Sequence, residues 1–197
     1  MFYLFFLLFI ALCLALIFPF FVSERFRVAA KLFRILVVAV TIAVFTYFFV
    51  NKSLNHFRKD SLTVKLINTL PFPLYFYIVQ VNNSNASERL ETLHLGNIRN
   101  NYYRIEYLDM KNSDEFWVVG YMGKKNLVYF SQHAVPNKNE DQILEIRNYI
   151  IQSQKLSERA QSMVEDLKLE NVKAAIWFTL DLLLLFLNIA LLLKKPK

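Results

Sequence analysis

The stretch KNEDQILEIRNYIIQSQKLSERAQSMVEDLKLEN, Lys138 to Asn171, decides how this chain is divided. It contains no Gly or Pro and is rich in residues that favour helix. Ile143, Ile146, Ile150, Ser153, Ser157, Ala160, Val164 and Leu167 recur at spacings of three and four, a heptad seam that weakens at the serines. Asn139, with Gln142 three residues on, suits a helix cap. Nothing breaks the pattern before the apolar run WFTLDLLLLFLN, Trp177 to Asn188. The spacing therefore predicts one helix from about Glu140 to Leu193, roughly 80 Å long at 1.5 Å per residue. Its first part, 137–173, would be a stalk. Its second, 174–197, would be a membrane span with a basic tail.

Two more apolar runs lie at the other end of the chain. Phe2 to Val22 is uncharged, and Val28 to Val50 carries only Lys31 and Arg34 near its start. Each meets the requirement of about 20 apolar residues for crossing a bilayer. The first run has no basic residue before it and no small-residue cleavage site at Phe20-Phe21-Val22, so it reads as a retained span rather than a signal peptide. Residues 1–50 are expected to form a transmembrane hairpin, with spans at about 2–22 and 28–50 and a basic loop at 23–34.

Charge sets the expected orientation. The formal net charge is +7, yet 51–173 holds 16 Lys and Arg against 14 Asp and Glu. The remaining excess comes from Arg25, Arg27, Lys31 and Arg34 between the first two spans and from Lys194, Lys195 and Lys197 at the end. Both clusters are short and fall on the same side of a three-span chain, so the positive-inside bias puts them in the cytoplasm. The N-terminus and 51–173 would then lie outside, most simply across a bacterial inner membrane. The basic loop could also meet anionic lipid headgroups. A basic surface for nucleic acid is excluded by this distribution.

Residues 51–136 read as strands. Alternation at Leu62, Val64 and Leu66 is followed by PFPLYFYIVQVNN, by runs near Glu88–Leu95, Tyr102–Leu108 and Phe116–Met122, and by a hairpin turn at Gly123–Asn126. Five to seven short strands predict an antiparallel β-sandwich-like domain outside the membrane. The fold class is thus an α+β membrane protein. Its single cysteine, Cys13, falls in the first span, which leaves the external domain without a disulfide.

Asp181 is the strongest functional signal. A carboxylate at mid-span opposes insertion by roughly 2.5–3.5 kcal/mol, which nine leucines at about 0.3–0.6 kcal/mol each can offset. Such a residue normally faces a protein interior and finds a partner there. Extending the stalk seam gives Asn171, Ala174, Phe178, Asp181, Leu185, Asn188 and Leu192, so Asp181 and Asn188 continue one face. Together with Thr179 they are the candidates for a helix-to-helix contact or, alternatively, a proton or ion site. His56, His94 and His133 are scattered singly without metal-ligand spacing, and no nucleophile elbow, phosphate loop or HExxH occurs. No catalytic residue, metal or cofactor is expected.

These features together predict a non-enzymatic membrane subunit that positions other proteins, or a second copy of itself, in an envelope assembly. The alternatives are a proton- or ion-coupled component working through Asp181, and a sensor whose external sheet binds a ligand and signals along the stalk.

Overall fold

The computed structural model describes residues 2–21, 27–54, 61–84, 87–123 and 125–194. It is α+β, with three helices and two mixed sheets. The chain divides into two compact units, 1–53 with 168–197, and 54–167.

In the second unit, β1 (Leu62–Asn68), β4 (Tyr102–Leu108) and β7 (Gln142–Ile146) form a three-stranded sheet ordered β4-β1-β7. The larger sheet is ordered β3-β2-β5-β6-β8 and uses β2 (Leu74–Ser84), β3 (Ser87–Ile98), β5 (Ser113–Met122), β6 (Asn126–Ala134) and β8 (Ile150–Ile151). Period-two burial in β1 sends Leu62, Val64 and Leu66 inward, where they meet Leu74, Phe76, Ile78, Phe116 and Val118 of the larger sheet. The other face of that sheet, Tyr77, Val79, Trp117, Val119 and Phe130, is covered by Ala160 and Val164 of the last helix. The unit is therefore three layers: small sheet, large sheet, helix.

Two expectations need correction here. The segment after Pro136 is not helical from Glu140. Ile143 and Ile146 lie in β7, Ile150 lies in β8, and the helix α3 starts at Gln154 and runs to Leu193. The isoleucines are β-branched and fit a pleated surface, and β1 offers an open edge on which Val64–Asn68 pairs in parallel with Gln142–Ile146. Leu144 and Ile146 then face the core together, at a spacing of two rather than three or four. Thr69 closes this ladder by donating both its N–H (3.1 Å) and its hydroxyl (2.7 Å) to the Ile146 carbonyl. The cap is Ser153, not Asn139. Its carbonyl accepts from Ser157 N at 3.0 Å and its hydroxyl faces Leu156 N at 3.4 Å.

The second correction follows from the first. The sandwich is not purely antiparallel, because β7 joins β1 and β8 joins β6 in parallel. Both parallel pairs are made by the very segment whose pattern suggests a helix.

The first unit holds α1 (Phe2–Phe21), α2 (Arg27–Leu54) and the C-terminal part of α3. α2 over Val28–Asn51 and α3 are long and apolar enough to cross a membrane, whereas the apolar stretch of α1, Tyr3–Pro19, is shorter. Phe5 lies 5.6 Å from Phe48 and Phe18 lies 5.8 Å from Phe33, so α1 and α2 run antiparallel. Phe5 meets Phe178 and, further along both helices, Leu12 meets Asn188, so α1 and α3 run the same way.

Candidate functional site

The helical unit buries polar side chains within an apolar interior and exposes apolar ones on its surface. Leu12, Ala15, Val37, Val38 and Leu185 pack at its centre. Beside them lie three polar side chains with no exposed surface at all: Thr41, Asp181 and Asn188. The outward faces carry Leu7, Ile10, Leu32, Leu36, Leu183, Phe186 and many other exposed apolar groups. Water would reverse this arrangement, while hydrocarbon favours it.

Asp181 and Asn188 are seven residues apart, about 10.5 Å along the helix, on the buried side of α3 with Leu185 between them. Asn188 Nδ2 donates across the interface to the Leu12 carbonyl of α1 (3.2 Å) and within α3 to the Leu184 carbonyl (2.9 Å). Its Oδ1 has no partner among the described residues, and neither does either carboxylate oxygen of Asp181. Phe45 touches Phe178 at 4.9 Å. Thr41 lies one turn from Phe45, and Asp181 one turn from Phe178 on the antiparallel α3, so the two share a level of the bundle. The Thr41 hydroxyl donates to its own helix at Val37 O (2.8 Å), leaving its oxygen to accept. The Cys13 thiol lies within electrostatic range of Asp181. The site thus gathers acceptor oxygens, and among the described residues no donor is bonded to the Asp181 carboxylate.

Thr179 is not part of it. It is exposed and its hydroxyl bonds back to Ala175 O at 2.8 Å. The seam residues also divide. Ala160 and Val164 are fully buried against the large sheet of their own domain with Leu167 beside them, whereas Ile143 and Ile150 are exposed and Ile146 belongs to the inter-sheet core.

Of the basic loop, Arg25 lies outside the described residues, Arg27 begins α2, and Lys31 is exposed. Arg34 has a role that sequence reasoning missed. Pro19 lies inside α1 and has no N–H, so the Ala15 carbonyl four residues earlier loses its helical donor. Arg34 Nε donates to that carbonyl at 3.1 Å. The signal was present as a proline in an apolar helix, but pairing it with an arginine on another helix required the tertiary structure.

Among the histidines, His56 lies outside the described residues. His94 stacks on Tyr77 at 4.6 Å. His133 stacks on Phe116 at 5.2 Å with Ser131 Oγ 2.7 Å from its Nε2, and burial lowers its pKa from the ordinary 6.5. No three His, Cys, Asp or Glu among the described residues are grouped to hold a metal ion.

No family model matches the chain, and no curated protein sequence does. Among solved structures it is similar to a protein from Eubacterium rectale determined by NMR, at 15% identity over 46% of this chain and 82% of that one, with a TM-score of 0.30.

Proposed function

We propose that this protein is a three-span, non-enzymatic membrane subunit that holds an extracytoplasmic β-domain for a partner protein, most simply in a bacterial inner membrane. The observation that carries the reading is the polarity of the helical unit, with Thr41, Asp181 and Asn188 inside and leucine and phenylalanine outside on all three helices. The outer face of the small sheet supports the partner role. Tyr103, Ile105 and Tyr107 of β4 and Ile143 of β7 are each more than 40% exposed on it. Exposed apolar side chains gathered on one sheet face support a protein contact there.

Topology is tested by cysteine labelling in a Cys13→Ser background. An impermeant maleimide should label Lys125→Cys in intact cells and Lys31→Cys only after permeabilisation; the opposite pattern refutes the orientation. The partner role is tested by a photo-crosslinker at Tyr103 in the native membrane, which should give one discrete protein adduct. The absence of any adduct would count against it.

A second reading, proton or ion uptake at Asp181, is favoured by its two donor-less oxygens. The variants Asp181→Asn and Asp181→Leu separate the two. A scaffold tolerates Asn in the bundle, whereas an ion-coupled component loses its activity with Asn while still assembling.

A further inference from the structure

At one end of the sandwich the two sheets part around a cavity of about 320 Å³. Its floor is the continuation of the core face of β2. Leu74, Phe76 and Ile78 point between the sheets, and the same alternation brings Gln80 and Asn82 to that side. Gln80 is opposite Glu91 of β3, as Ile78 is opposite Leu93, so acid and amide lie side by side on one face. The wall from the small sheet is Tyr107 and Leu108, followed by Asp109, Lys111 and Asn112 of the next connection.

Side chains at a strand end that simply emerges into water are exposed. Gln80 is only 8% exposed, and its Nε2 is fixed by the Asp109 carbonyl (3.3 Å) and the Met110 sulfur (3.5 Å). Its Oε1 accepts no bond, and Asn82, Glu91 and the Lys111 ammonium have no side-chain partner among the described residues. A buried, oriented amide with a free acceptor, next to unpaired donors and acceptors of both kinds, is a prepared polar surface.

We propose that this cavity binds a saccharide unit. The lining carries one ammonium, Lys111, against two carboxylates, Glu91 and Asp109, so an anion is disfavoured. The lining is too polar for an apolar ligand. An added peptide strand would pair with backbone edges, whereas the free groups here are side chains. Neighbouring sugar hydroxyls each donate and accept, matching planar amides and a carboxylate. The volume is at the lower end of the roughly 300–1,000 Å³ of small-ligand sites, enough for one ring. This binding role is independent of the membrane reading above.

The test uses the full chain, ¹⁵N-labelled, in a phosphocholine detergent that carries no sugar headgroup. The probes are the methyl glycosides of glucose, galactose and N-acetylglucosamine. At least one should give saturable shifts in the side-chain amides of Gln80 and Asn82 and in the Lys111 backbone. Asn82→Ala and Glu91→Gln, both at the mouth rather than in the core, should each weaken that binding roughly fivefold, the value of one ordinary hydrogen bond. Their core resonances should stay in place. The proposal is overturned if no glycoside saturates, if both variants bind as well as the unaltered chain, or if an uncharged tripeptide produces the same shifts and the sugars do not.

Discussion

Arg34 shows how one side chain can be assigned a role by charge and given another by geometry. Its guanidinium supplies the hydrogen bond that Pro19 takes from the Ala15 carbonyl. A charged donor on a buried carbonyl contributes about 1.5–3 kcal/mol. Arg34→Leu should therefore lower the stability of the purified protein by about that amount. In a Pro19→Ala background, where the Ala15 carbonyl regains its N–H donor, the same change should cost about 1 kcal/mol less. That coupling is what a double-mutant cycle measures, and a coupling of zero would show that Arg34 acts only as a surface charge. Asp181 poses the opposite case, an acid whose oxygens have no donor among the described residues. Replacing an unsatisfied buried group by an apolar one is often neutral or stabilising. Asp181→Val should leave thermal stability in detergent equal or higher, whereas a loss above about 2 kcal/mol would mean that the carboxyl is satisfied by a bound proton donor or ion. If stability rises while activity in the cell falls, the acid is kept for function rather than for folding.

At the scale of elements, the helix that could be read from the sequence was real from Gln154 onward and wrong before it. Helix propensity and a three-four spacing do not distinguish Ile143 and Ile146 from strand residues when the deciding partner, β1, lies 78 residues earlier in the chain, nor Ile150 when its partner is Tyr129 of β6. The alternation in β1, the hairpin at Gly123 and the strand near Glu88 were legible because their signals are local. The inward side of Asp181 and Asn188 was legible as a shared face, but its partner was not, since nothing in the spacing names Leu12. The two registers for Ile143 and Ile146 make a direct test. Ile146 is 1% exposed and Ile143 is 63% exposed. Ile146→Ala should cost about 2–5 kcal/mol through the cavity it leaves, and Ile143→Ala less than about 1 kcal/mol. Equal losses would return both residues to a single helical seam. For α3 itself, Val164→Ala should destabilise the β-domain, because Val164 is fully buried against its large sheet.

At the scale of the whole molecule, α3 contributes residues to the packing of both units, to an apolar sheet face in one and to a helical interior that includes Thr41, Asp181 and Asn188 in the other. They should respond differently to pH. Burial holds the His133 imidazole below its ordinary 6.5, so as the pH falls below about 6.5 the unfolded chain takes up the proton before the folded one. Stability of the β-domain is then lost with falling pH through that window and levels off once the folded imidazole is protonated too. At the alkaline end, burial first and then the charges of Glu165 and Tyr77 push the Tyr121 phenol up to about 12. The unfolded phenol ionises near its ordinary 10, so the folded state keeps its proton longer and stability declines as the pH rises from about 10 towards 12. Trp117, fully buried in the large sheet, reports this transition once Trp177 is changed to Phe. The urea midpoint seen by Trp117 fluorescence should drop on both flanks, and His133→Gln should flatten the acid flank while leaving the alkaline one. A midpoint that rises between about pH 7 and 5, or an acid flank that persists in His133→Gln, would mean that the imidazole is not held neutral by its place between Phe116 and Ser131.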